Sequence, residues 1–283
     1  MISPYVRRLR LAAELRALRT QAGVTHVQLA KMIGQSRAQI SRLENGHVVD
    51  QDDVMKILDA LGVDDERWTK IMTIAREAGE RGWWESNRFM GERQALYANL
   101  EAGASTIREF QMTFIPGLLQ TPEFTRARGE ADRLSGAGQF HLEKAVEGRL
   151  GRQRMLRRPG GPTYEVVIDE LAVRRPSAPP ETTKAQLYHI AAVVNGSDKI
   201  EVRVLPIEAE IEGYAVPRSA FSIYTFHDPD DPTVVAVDTV TDDLVLTDSD
   251  EVKRYDQLFG RLRDAALPVT DSLDLLLDVA KRI

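Results

Sequence analysis

Two arginines five residues apart, Arg37 and Arg42, with Ala38 between them, are the residues of this chain best suited by type and spacing to recognition chemistry. A guanidinium donates two hydrogen bonds to O6 and N7 of guanine, and an alanine side chain can touch the methyl of thymine. Together they suit the reading of base edges in a DNA major groove. At about 100° per residue, a helix over 36–45 turns Ile40 and Leu43 inward. Ala38, Ser41 and Arg42 then point away, flanked by Arg37. His26, Gln28, Ser36 and Gln39 lie near helix starts, where their polar groups meet phosphate and fix register without reading sequence. With the capping residue Thr25, the expected DNA-facing set is Thr25, His26, Gln28, Ser36, Arg37, Ala38, Gln39, Ser41 and Arg42.

The elements that must hold those residues are legible around them. Thr25 and Gln28 have the spacing of a capping box. Leu29, Ala30 and Ile33 form an apolar stripe, and Gly34 ends the helix where a left-handed residue is cheapest. Ser36 and Gln39 repeat the capping spacing at once, so two short helices are joined by a glycine turn. A preceding helix is predicted from Val6 to Gln21, with Leu9, Ala12, Ala13, Leu15 and Leu18 for its core and Gly23 as its stop. A following helix is capped by Asp50, carries Val54, Ile57, Leu58 and Leu61, and ends at Gly62. The helical pattern then runs to about Gly82 with Trp68, Ile71, Met72, Ile74 and Ala75.

Charge separates this head from a plain helical hairpin. Residues 1–48 hold eight Arg or Lys against two acids, a net +6, so the rest of a chain of net charge −6 carries −12. A positive field confined to one end steers that end onto phosphate and makes binding salt-dependent.

The segment from Thr25 to Gly46 resembles the helix-turn-helix domain of the lambda-repressor-like (Xre) family. The resemblance rests on Leu29 and Ala30, Gly34, Ile40 and Ser41, and Leu43 to Gly46. It implies an all-α N-terminal domain in which Arg37, Ala38 and Arg42 face bases, and it implies that Arg19 pairs with Glu44 inside the domain.

The first domain is placed at 1–80, before a second at 81–267 that opens on Trp83 and Trp84. Tyr97 to Ala104 is read as a helix, Thr106 to Phe114 as a strand, and Pro116 and Gly117 as a turn before another helix. A long helix follows from Gln139 to Arg157. A strand over Tyr164 to Ile168 runs into Asp169 to Arg175, followed by a helix over Thr182 to Val194 and a strand over Ile200 to Leu205. Ser219 to Phe226, Val234 to Asp238 and Asp243 to Leu246 suggest a small meander, and Ser249 to Ala266 is helical. Strands intermixed with helices without regular alternation argue for an α+β domain with a mixed or antiparallel sheet. Residues 268–283 form a C-terminal amphipathic helix with Leu273, Leu276, Leu277 and Ala280 at helical spacing. Such a stripe packs on its own domain or serves as a dimerisation helix.

Trp83 with Trp84, Tyr97 to Ala104, Ile115 to Thr121, Arg152 with Gln153, Asp169 to Arg175 and Val204 to Pro206 carry a second resemblance. They resemble the sensor-like domain of unknown function that follows the helix-turn-helix in a group of actinomycete regulators. The likeness extends to about Leu267 and leaves the last stretch outside the pattern. It implies a small partner protein of the BldB-like kind, and roles in developmental or antibiotic regulation among family members.

Catalytic and metal chemistry find little support. There are no cysteines, which removes disulfides, thiolate zinc sites and cysteine nucleophiles together. The five histidines are scattered, without metal-ligand spacing. Asp228, Asp230 and Asp231 lie among Pro229 and Pro232 and read as a turn, since the glycine and terminal glutamate of an EF-hand are absent. No Walker loop, nucleophile elbow or dinucleotide glycine fingerprint occurs. Asp169 and Glu170 sit at a strand-to-helix junction where capping is their expected task. No cofactor, metal or catalytic residue is therefore expected, and the chain is not expected to be an enzyme. The candidate small-ligand set is Trp83, Trp84, Tyr97 and Phe110 for aromatic surface, with Arg152, Gln153, Asp169 and Glu170 to orient a polar group. Core packing and ion pairing are the competing uses of the same residues. No apolar run of about 18 residues predicts a membrane helix, and the N-terminus leads into an arginine-rich helix without a signal region, so the cytoplasm is expected.

These readings predict a homodimeric DNA-binding transcriptional regulator on an inverted-repeat operator of double-stranded DNA, its second domain receiving a ligand or protein signal. The alternative is an antitoxin-like or scaffold protein acting mainly through a small protein partner, with DNA binding used for autoregulation.

Overall fold

The computed structural model describes residues 1–47, 49–86, 91–134, 141–239 and 243–283. The chain divides into two compact units. The first comprises residues 1–86 together with the short segment 228–232, and the second comprises 87–227 and 233–283. The division therefore falls at residue 86, with Trp83 and Trp84 in the first unit, where the Trp84 ring lies against Gly82.

The first unit is built from α1 (Pro4–Gln21), α2 (His26–Ile33), α3 (Arg37–Glu44), α4 (Gln51–Ala60) and α5 (Asp65–Ala78). Every one of these helices begins behind a side chain that accepts from its first turn: Ser3, Thr25, Ser36, Asp50 and Asp64. Such caps satisfy amides that have no partner within the helix. The Ser3 cap, with Pro4 at the first helical position, starts α1 two residues before Val6. Gly34 adopts φ 69° between α2 and α3, the left-handed conformation that permits so short a turn.

Leu11, Leu15 and Leu18 of α1 enter the core with Leu29 and Ile33, Ile40 and Leu43, Val54, Ile57 and Leu58, and Ile71 and Ile74. Leu9 is half-buried and Ala13 exposed, contrary to the sequence reading. The inward stripe of α1 runs through Leu11, Leu15 and Leu18 at helical spacing, and both residues lie off it. Helix α5 stops at Ala78, short of Gly82, and Trp68 and Met72 only flank the core.

The second unit carries α6 (Glu92–Gly103), β1 (Ala104–Gln111), α7 (Pro122–Leu134), α8 (Leu142–Arg157), β2 (Thr163–Asp169), α9 (Glu170–Arg174), α10 (Pro180–Asn195) and β3 (Ile200–Leu205). After these come β4 (Phe221–Phe226), β5 (Val234–Val237), β6 (Leu244–Leu246), α11 (Ser249–Ala265) and α12 (Val269–Arg282). The expected start of the long helix at Gln139 lies outside the described residues.

The six strands form one mixed sheet in the order β3-β2-β1-β4-β5-β6. β1 pairs parallel with β2, and β2 with β3. The segments joining these strands contain α7 and α8, then α9 and α10, as parallel neighbours require a long crossover. β4, β5 and β6 continue from β1 as the expected antiparallel meander. The strand read over 106–114 begins at Ala104 and ends at Gln111.

Phe110, Val167, Phe221, Ile223 and Val235 of the sheet pack with Phe259 and Leu262 of α11. Helix α12 packs on α10 and β3 within its own unit, burying Leu276, Val279 and Ala280. Its Ser272 hydroxyl accepts from the Val204 amide at 2.9 Å. Among the described residues no helix is long and apolar enough to cross a membrane.

Candidate nucleic-acid interface

Helix α3 presents three side chains to solvent without internal use. Arg37, Ala38 and Arg42 are exposed, and neither guanidinium has an ion-pair or hydrogen-bond partner among the described residues. Ser36 accepts from the Gln39 amide at 3.1 Å, which aims the first turn of α3 outward. Ser41 is half-buried, and its hydroxyl lies 3.3 Å from Asn45 Nδ2.

The other candidates are placed differently. Thr25 and Gln28 form the complete capping box, with the Thr25 amide donating to Gln28 Oε1 at 2.9 Å and the Gln28 amide to Thr25 Oγ1 at 3.3 Å. Both remain exposed at the start of α2. His26 is turned to the interior, its Nε2 3.0 Å from Glu44 Oε2. Gln39 does not return the Ser36 cap. Its amide donates to Asp53 Oδ2 at 3.0 Å, while Gln35 donates to Asp53 Oδ1 at 2.8 Å. Asp53, in the first turn of α4, thus locks the turn between α2 and α3 from beneath. Gln35 and Asp53 were missed from the sequence, which carries no local signal for a contact between the turn before α3 and a residue of α4 eighteen positions on.

The pairing implied by resemblance is present. Arg19 Nε donates to Glu44 Oε1 at 2.6 Å and Nη2 to Oε2 at 2.9 Å, and Arg16 donates to the Glu44 carbonyl at 2.7 Å. Helix α3 is therefore clamped to α1 at its C-terminal end. Burial alone would raise the pKa of Glu44, but hydrogen bonds from Arg19 and His26 outweigh it and hold the carboxyl below its ordinary range. Because the folded value lies below the unfolded one, this stabilisation is complete above the unfolded value and is lost as pH falls through the folded value. Urea midpoints of the parent and of Glu44→Gln, measured from neutral pH into the acid range, should converge as pH falls. A gap independent of pH would contradict the assignment.

Electrostatics is the main correction to the sequence reading. Residues 1–86 hold thirteen Arg or Lys against twelve acids, and Asp228, Asp230 and Asp231 bring the first unit to a net −2. Arg7 and Arg10 are buried, and both donate to Asp228 and Asp231 at 2.7–3.2 Å. The Arg7 guanidinium, against burial and with help from Arg10, pulls the Asp228 carboxyl well below its usual range. The unit as a whole is therefore not basic, although Arg16, Lys31, Arg37 and Arg42 remain exposed. The aspartate segment does make the expected turn, with the Asp230 amide donating to Asp228 Oδ1 at 3.0 Å. Its arginine partners lie too far away in sequence to be paired by inspection.

The candidate ligand residues are engaged within the fold. Trp83 and Trp84 meet edge to face at 6.0 Å in the first unit. In the second unit Phe110 is fully buried beside Phe221, and the Tyr97 hydroxyl donates to Asp238 at 3.1 Å. Arg152 pairs with Glu101 at 2.6 Å and lies over the Tyr97 ring. Gln153 donates to the Gln120 carbonyl at 2.6 Å, so with Gln186 it fixes the Ile115 to Thr121 loop. Asp169 caps α9 through the Leu171 amide at 2.8 Å, the task expected of it, and Glu170 accepts from Arg174 at 2.6 Å and the Ile207 amide at 2.9 Å.

Comparison with known families agrees with both halves of this geometry. A family model described as a helix-turn-helix domain matches residues 10–68, from α1 into α5. One described as a domain of unknown function (DUF5753) matches residues 94–278. The second match enters α12, so much of the stretch expected outside the family pattern lies inside it. No curated protein matches the chain.

Proposed function

The chain belongs to the family defined by the domain of unknown function DUF5753, here behind a helix-turn-helix DNA-binding domain, and we propose that it is a sequence-specific transcriptional regulator of the cytoplasm. The observation that carries this reading is the division of labour on α3. Its inward polar groups are engaged, while Arg37, Ala38 and Arg42 face solvent uncommitted. In this reading a homodimer places the 36–45 helices in successive major grooves of an inverted repeat, about one DNA turn apart. The second unit receives the signal, from a ligand or a small protein, that sets occupancy.

The reading is tested by genome-wide DNA occupancy in the native host, repeated with Arg37→Ala/Arg42→Ala. Sharp peaks sharing an inverted motif, lost in the double variant, are expected. In vitro each single replacement should cost about 1–3 kcal/mol of operator binding if its contact is bidentate to guanine, and should relax preference at one position. Absence of discrete peaks, or a double variant that binds as the parent does, overturns it.

A further inference from the structure

In the second unit a hollow of about 250 Å³ opens between the segment leading into β4 and α11. Its walls are mostly apolar. The rings of Phe221 and Tyr255 meet edge to face at 5.0 Å, and Val216, Pro217 and Leu258 complete the lining. Arg218 and Arg254 stand at the same hollow, both exposed, and neither has an ion-pair or hydrogen-bond partner among the described residues. Elsewhere in the unit Arg93, Arg108, Arg126, Arg152 and Arg174 are all paired with carboxylates.

Tyr214 is the one non-glycine residue with positive φ among those described, at 53°, and its ring is 81% exposed. Val216 beside it is 73% exposed. An apolar hollow rimmed by two uncommitted guanidinium groups selects a ligand with a flat apolar body and one anionic end. The space of about 250 Å³ admits a single-ring acid.

We propose that this hollow binds a small aromatic monocarboxylate, its ring against Tyr255 and Phe221 and its carboxylate between Arg218 and Arg254. The proposal deepens the reading of the second unit as a signal receiver and names the ligand class of that signal.

The test is titration of the full chain with benzoate and, separately, with its neutral counterpart benzamide, followed by calorimetry. Benzoate should bind with unit stoichiometry and about tenfold or more tighter than benzamide, the margin of a charge-assisted hydrogen bond. Arg218→Ala/Arg254→Ala should abolish the preference at an unchanged unfolding midpoint, since both side chains are exposed. Ser219→Trp, which fills the hollow from its wall, should block both compounds. Equal binding of the two compounds, no binding of benzoate at millimolar concentration, or a preference that survives the double arginine replacement each overturns the site. Lost benzoate binding with operator recognition intact refutes the site and leaves the regulator standing. Retained benzoate binding without operator recognition refutes only the regulator.

Discussion

Arg152→Ala is expected to lower the unfolding free energy of the second unit by about 3–5 kcal/mol, the cost of stripping one partner from a buried ion pair. Arg152 Nε lies 2.9 Å and 3.1 Å from the two Glu101 oxygens, and Nη2 lies 2.6 Å from Oε1. The two side chains are 9% and 2% exposed, so water cannot replace the lost donor. Burial works against the arginine's charge, and the Glu101 carboxylate more than restores it. Without Arg152 the buried Glu101 carboxylate is left without its charged partner. The guanidinium also covers the Tyr97 ring at 5.2 Å, so packing is lost with charge. Replacing both partners with apolar residues of similar volume should recover much of the loss. Urea unfolding of the full chain, with the transitions of the two units resolved, measures the effect. A change under about 1 kcal/mol would place the pair among exposed salt bridges and contradict its burial.

Arg19→Ala should act on the first unit with similar size, about 3–5 kcal/mol, for a related reason. It leaves Glu44, only 3% exposed in its side chain, with His26 as its remaining side-chain partner. It also removes the donor to the Val24 carbonyl at 3.0 Å, where the chain enters α2. Arg37→Ala makes the contrast that gives the measurement its meaning. Arg37 is exposed and has no side-chain partner among the described residues, so its loss should leave the unfolding free energy within about 0.5 kcal/mol of the parent. Operator affinity should fall all the same. If Arg19→Ala unfolds with the parent and loses only DNA affinity, then Arg19 belongs to the recognition surface and the clamp is not structural.

How much of this was legible before the fold was seen follows from the range of each interaction. The capping box of Thr25 and Gln28, the stop at Gly34, the stripe of Leu29, Ala30 and Ile33, and the cap of α9 by Asp169 all join residues within four positions of each other. Helical geometry alone dictates such contacts, so spacing was enough to read them, and with them the outward face of α3. The meander of β4, β5 and β6 was legible for the same reason, since short turns force neighbours to pair.

What the amino-acid sequence determined by itself was therefore the kind and order of the elements, the all-α head and α+β body, and which arginines a recognition helix turns outward. Tertiary structure alone decided that β1 lies at the centre of the sheet, that Gln39 is spent on Asp53, and that Arg7 and Arg10 are neutralised by Asp228 and Asp231 more than two hundred residues away. Those pairings depend on where chain closure brings distant segments, and local propensity carries no information about it. The +6 of residues 1–48 was thus offset in two ways, by the acids of residues 49–86, which the sequence shows, and by Asp228, Asp230 and Asp231, which only the fold brings to the head.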